Sequence, residues 1–252
     1  SLHLKYTFTK FASQNIDFIM RTLQLVCFGF LLCLMLLPLP AVCQTANDTI
    51  YTEDPTNKEL VAMEVYDFNK QLIAAGRLYK GKKHGLYRQY NAKYTLIYLQ
   101  EFNNGVPDGI ALKFGDNGAL ELEENYKSGL LDGKRTQYRF GGIKRSIENF
   151  KKGKLEGSKI VYYDSGFKQE DAQYKNGLRD GISIWFNESE IKTIQYTYIN
   201  GVLEGPAKTY FFNSKVQSEG NYVNDLEEGE WKYFDENGKH FKSVFYKNGK
   251  ID

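Results

Sequence analysis

Catalysis needs side chains of tuned protonation converging on one point, and this chain of 252 residues supplies few of them beyond Cys43. Two histidines follow that point, His84 and His240, 156 residues apart and in different repeats of the pattern described below, so they cannot share a site. The cysteines are Cys27, Cys33 and Cys43, and none follows. The later chain therefore has no thiolate nucleophile, no thiolate metal site and no disulfide framework. The motifs HExxH, GxSxG and GxxxxGK[ST] do not occur. No catalytic residue, no cofactor and no metal site is expected, and an enzyme is the least supported class.

A row of carboxylates is the next candidate. Asp108, Asp132, Glu156, Asp180, Glu204 and Glu228 recur every 24 residues, each just before a glycine. They could form a ladder for calcium or a basic partner. A calcium ion, however, takes six to eight oxygens around one point, and one carboxylate per two strands puts them about 10 Å apart. The favoured reading is a turn residue whose carboxylate accepts backbone N–H bonds. His84 fills the same slot in the earliest repeat and is expected to be an exposed turn residue.

Aromatic residues form two more columns. One is Phe102, Tyr126, Phe150, Tyr174, Tyr198, Tyr222 and Tyr246; the other is Tyr90, Phe114, Tyr138, Tyr162, Phe186, Tyr210 and Phe234. They are expected to be the core. A single sheet has no second layer, so part of that core should also line an open groove, and exposed apolar strips mark interaction sites. The candidate binding residues are Tyr162, Tyr174, Trp185 and Phe186, in the middle repeats. Trp185 is expected on the more polar face beside Ser183, opposite Ile182 and Ile184, where it has less reason to be core and could anchor an interface.

The elements that must position these residues follow from one repeat. In Gly109 to Gly129, Ile110, Leu112 and Phe114 alternate with Ala111 and Lys113, a strand with one apolar face. Asp116-Asn117-Gly118 is a hairpin signal. Leu120, Leu122 and Tyr126 then alternate with Glu121 and Glu123, and a second turn follows at Lys127-Ser128-Gly129. Gly85, Gly109, Gly133, Gly157, Gly181, Gly205 and Gly229 keep the step of 24, as do Gly105, Gly129, Gly153, Gly177, Gly201 and Gly249, with Asp225 the one substitution in that second column. Each repeat is a β-hairpin plus a connection, and no segment has sustained helical periodicity. The expected fold is all-β, an elongated antiparallel β-meander of tandem hairpins in which contacts are mostly between neighbours.

The pattern Y-x-N-G-x-x-x-G-x-x-x-x-Y-[FY]-x-x-N-G resembles MORN repeats, most closely their bacterial variant found in YwqK-type antitoxins. YKNGLRDGISIWFN at 174–187 and YVNDLEEGEWKYFDENG at 222–238 carry the resemblance best. It covers roughly residues 76–252, with a weaker half-repeat from about Glu59 to Lys70. It implies the repeat and leaves function open, because such arrays serve many proteins.

The N-terminal segment is of a different kind. Thr22 to Cys43 carries no charge, follows Met20-Arg21, and ends in Ala41-Val42-Cys43 before polar residues. This reads as a secretory signal peptide, with residues 1–19 as upstream translation, 20–43 as signal, 44–58 as a linker and 59–252 as the repeat array. A lipoprotein carrying lipid on Cys43 is disfavoured by Val42 and Pro40, and a membrane anchor by Gln24, Pro38 and Pro40. Lys5, Lys10 and Arg21 among the 33 basic residues, and Asp17 among the 31 acidic ones, precede Gln44, leaving 30 of each. That balance gives no bulk attraction to nucleic acid. The sequence therefore points to an exported, non-enzymatic protein-interaction or scaffolding module, periplasmic, at the cell envelope or secreted. Its partner is another protein, with a polysaccharide or membrane surface less favoured. An antitoxin-like or immunity-like protein and a carbohydrate-binding module are the alternatives.

Overall fold

A computed structural model of the chain describes residues 47–252. The upstream, signal and cleavage expectations lie outside the described residues. Those described form one long antiparallel open sheet of 21 strands, several only two residues long. Each unit contributes a glycine strand, such as Leu178–Phe186, and a tyrosine strand, such as Lys168–Lys175 or Lys192–Ile199. Leu178–Phe186 pairs with Lys168–Lys175 on one side and with Lys192–Ile199 on the other, and the same order runs along the chain.

The array starts earlier than the sequence pattern indicates. Asp48–Glu53, expected as linker, is a strand paired with Leu60–Tyr66 from Asp48↔Tyr66 to Glu53↔Val61. The expected half-repeat is a full hairpin of Leu60–Tyr66 and Leu72–Tyr79. Ladder bonds come from the backbone, so a segment rich in Thr, Ile and Tyr can pair even though Asp54 stands in the aromatic column and no signature glycine precedes it.

Two backbone devices explain the glycines. The turn Asn176-Gly177 has positive φ at both residues, 53° and 90°, between the paired Lys175 and Leu178. That is the two-residue hairpin geometry whose twist matches the strands. Gly181, with φ 108°, sits in a bulge: Ala172 to Tyr174 on one strand faces Ser183 back to Arg179 on the other, three residues against five. Such bulges bend the strand and increase its twist.

The acidic column bonds turns as anticipated, but across repeats. Each carboxylate accepts the N–H of the left-handed turn residue 20 positions on: Ser128 to Asp108, Lys152 to Asp132, Asn176 to Glu156, Asn200 to Asp180, Asn224 to Glu204 and Asn248 to Glu228, at 2.8–3.3 Å. The next N–H of each turn donates to a carbonyl of the preceding repeat, as Gly177 does to Leu155 at 2.8 Å. Each of these six turns is thus bolted to its predecessor by two bonds. His84 departs from expectation: it is half-buried, with its ring 5.6 Å from that of Tyr79 and its Nδ1 enclosed without a hydrogen-bond partner.

The largest correction concerns the faces. The buried residues include Ala111, Ala172, Ser183, Ala207 and Trp231, whereas Ile182 is 47% exposed. Strand alternation puts Ser183 and Trp185 together on the packed face, and Ile182, Ile184 and Phe186 on the open one. The reason is size. Rings from one strand lie over small residues of the next: a Cβ at Gly220 would stand 2.3 Å from Trp231 Cδ2, and one at Gly76 2.9 Å from Tyr87 Cδ2. Alanine, serine and glycine mark the packed face because only they leave room for a ring, which a count of apolar residues does not register.

Candidate interaction face

Tyr174 and Trp185 fall on the packed face, and Tyr162 and Phe186 on the open one, so the structure does not bring the four together. All four are half-buried. Phe186 lies under the Lys168 ammonium, 5.6 Å from the ring centroid, and that lysine is paired with Asp171 at 3.0 Å. The Phe186 carbonyl accepts the Tyr163 hydroxyl at 2.7 Å, and the Tyr162 carbonyl accepts Arg139 Nη1 at 3.0 Å. Both backbones serve to tie neighbouring hairpin ends.

The packed face carries a spine that changes character along its length. In the middle it is ionic. Arg135 meets Glu124 at 3.1 Å and Glu148 at 3.9 Å, and Lys159 meets Glu148 at 3.4 Å, with both glutamates well covered. The Tyr126 hydroxyl donates to Glu124 at 2.9 Å. Burial, then that bond, pushes the Tyr126 phenol up to about 12.

Toward the C-terminus the spine is aromatic. Trp185 meets Tyr196 edge to face with centroids 5.8 Å apart. Tyr196 meets Tyr222 at 5.7 Å, Tyr222 meets Trp231 at 5.3 Å and Trp231 meets Tyr246 at 6.3 Å, all near perpendicular. This offset geometry suits the ring quadrupoles. Trp231 Nε1–H donates to the Asn221 carbonyl at 3.3 Å. Burial raises the hydroxyl pKa values of Tyr198 and Tyr222, with Tyr196 adding to the second. No second layer covers this row among the described residues, and apart from Trp231 its rings remain half-exposed.

Where the two regions meet stands Arg179, which the sequence reading did not single out. Its guanidinium carbon lies 5.1 Å from the Trp185 ring and 5.5 Å from those of Tyr174 and Tyr198. Nη1 donates to Ser183 Oγ at 3.0 Å and Nη2 pairs with Glu170. The equivalent positions on either side, 131, 155 and 203, are leucine, while those further out are Lys83, Pro107 and Glu227.

Residues 203–224 and 227–248 match a MORN repeat variant. Each match spans a turn, a bulge and a hairpin of the kind found throughout the sheet, so the chain carries MORN repeats in the region that holds Tyr222, Trp231 and Tyr246. No curated protein matches the chain.

Proposed function

We propose that this chain is a non-enzymatic, exported protein-interaction module acting as a scaffold at the cell envelope, and that it takes its partner on the aromatic spine. Tyr174 and Trp185 begin that surface, and Tyr196, Tyr198, Tyr222 and Tyr246 continue it. One observation carries the reading: a row of rings packed edge to face from Trp185 to Tyr246 leaves its outer edges in solvent on a single-layered sheet. Tyrosine and tryptophan are the residues that most often anchor interfaces, because they offer large area at little entropic cost. The export part rests on the uncharged run before Gln44. Sequence resemblance to YwqK-type antitoxins makes a protein toxin one form the partner could take. A sugar ligand is less favoured, since edge-to-face neighbours already use part of the ring faces that would stack on it.

The test is partner capture by residues 44–252 from envelope extract, with isotope-labelled comparison of wild type against Tyr198→Ala and Trp185→Ala. Loss of the same captured protein in both variants, with unfolding midpoints showing that both remain folded, supports the spine. Equal capture by both variants contradicts it.

A further inference from the structure

Arg179 occupies an arrangement made for a guanidinium. Three rings, Tyr174, Trp185 and Tyr198, surround its carbon at 5.1–5.5 Å. Glu170 supplies the opposite charge and Ser183 a hydroxyl acceptor. The floor beneath is Ala172 and Ser183, both with no exposed surface. Elsewhere on this face the equivalent positions hold Glu124 with Arg135 and Glu148 with Lys159, and Trp231 lies over Gly220. Both floor residues are small here, as they also are where Ala207 pairs with Gly220, and at Arg179 the space is filled by a side chain reaching from four positions before Ser183.

We propose that this is a recognition box for an arginine of a protein partner, held closed in the free chain by Arg179. The proposal rests on the aromatic spine being the interaction surface and adds the partner's chemistry and a means of control. Planar guanidinium suits the box better than ammonium does: it stacks on rings and presents a fork of donors to carboxylate and hydroxyl together. Arg179 is a replaceable occupant. Its side chain retains 25% exposure, and it stands next to the open end of the two-residue turn Asn176-Gly177. Rotating it into solvent breaks no ladder bond, since those belong to its backbone. A partner arginine entering the box would inherit the rings, Glu170 and Ser183, while the displaced Arg179 keeps its charge in water. The tethered side chain competes at high effective concentration, so only a partner with further contacts along the tyrosines opens the box. A lone arginine is weakly held by the wild-type chain.

The experiment uses N-acetyl-arginine methylamide as probe, N-acetyl-lysine methylamide as control, and tryptophan fluorescence as readout on residues 44–252. Arg179→Ala should bind the arginine probe saturably and at least tenfold more tightly than wild type, with the lysine probe weaker. Adding Trp185→Phe to that variant should abolish the signal. No saturable response, or equal affinity in wild type and Arg179→Ala, overturns the proposal. If Arg179→Ala does not fold, the wild-type Arg179 Nε–H resonance is followed instead. Movement toward the free-arginine position as probe is added supports exchange, and a stationary signal overturns it. The probe is a small molecule, so its failure leaves partner capture on the spine standing, while failure of capture leaves the box still measurable.

Discussion

The same sheet positions hold ions in the middle of the array and rings toward its end. Positions 135 and 159 are Arg and Lys, and 183, 207 and 231 are Ser, Ala and Trp, yet all sit two residues after the bulge glycine. Backbone pairing, bulge and turn are alike in both regions. The comparison shows that the repeat frame is carried by glycines, turn residues and the cross-repeat carboxylates, while the packed face is free to vary so long as neighbouring side chains fill one another's space. In the ionic stretch that filling is by charge pairs, which salt weakens. In the aromatic stretch it is by area and ring geometry.

Substitutions can separate the two regimes. The largest effect is expected for Trp231→Ala, which removes a 6%-exposed indole lying over Gly220. A loss of about 3–5 kcal/mol should appear in denaturation of the C-terminal repeats. Hydrogen exchange near Ile147 and Ile160 should stay unchanged, because repeat arrays couple mainly to nearest neighbours.

Arg135→Ala leaves Glu124 and Glu148 facing each other without their shared cation. Both are covered but not fully buried, so about 1–3 kcal/mol is expected, between the values for exposed and buried pairs. Arg135→Met should recover part of it, and raising salt should lower the wild-type midpoint more than that of Arg135→Met. Equal salt response in the two would remove the ionic description of the middle.

Gly157 tests the frame common to both regions. Its φ is 86° and nothing lies within 4 Å of where a Cβ would stand, so strain alone opposes a side chain. Gly157→Val should cost about 1–2 kcal/mol and Gly157→Asn less. A Val variant as stable as wild type would show that the bulge tolerates any residue.

The smallest effect belongs to alkali. The Tyr126 phenol is raised from its usual 10 to about 12 in the folded chain. The unfolded chain therefore loses its proton first, and stability present below pH 10 declines between about 10 and 12. Tyr126→Phe should flatten that part of the pH profile. An unchanged slope would detach Tyr126 from the ionic spine.

Much of the fold was legible in the sequence: the 24-residue step, the hairpins, and the turn role of the carboxylates. The faces were not. Ile110, Leu112 and Phe114 outweigh Ala111 and Lys113 in any hydrophobic count, yet Ala111 is the buried one, because space beneath a ring is a property of two strands together. Asp48–Glu53 was missed because its pairing needs no signature residue. Arg179 was missed because a charge near a turn ordinarily means solvent, and its column, leucine at 131, 155 and 203, also carries charge at Lys83 and Glu227. Of the candidate site, Tyr174 and Trp185 share a surface through Arg179, although Trp185 was expected on the more polar face away from the tyrosine column. Tyr162 and Phe186 lie across the sheet from them, since odd and even positions of a strand cannot meet.

The face assignment underlies both the packing account and the interaction surface, and residues 44–252 contain no cysteine, so single thiols report it cleanly. Cysteine placed at 182 or 183 in the folded chain, with the rate of alkylation measured for each, is the most direct test. The account predicts that Ile182→Cys reacts at close to the rate of an unfolded thiol and that Ser183→Cys is protected by at least a hundredfold. Fast reaction at 183 with protection at 182 would put the apolar face inside and contradict the assignment of the aromatic spine.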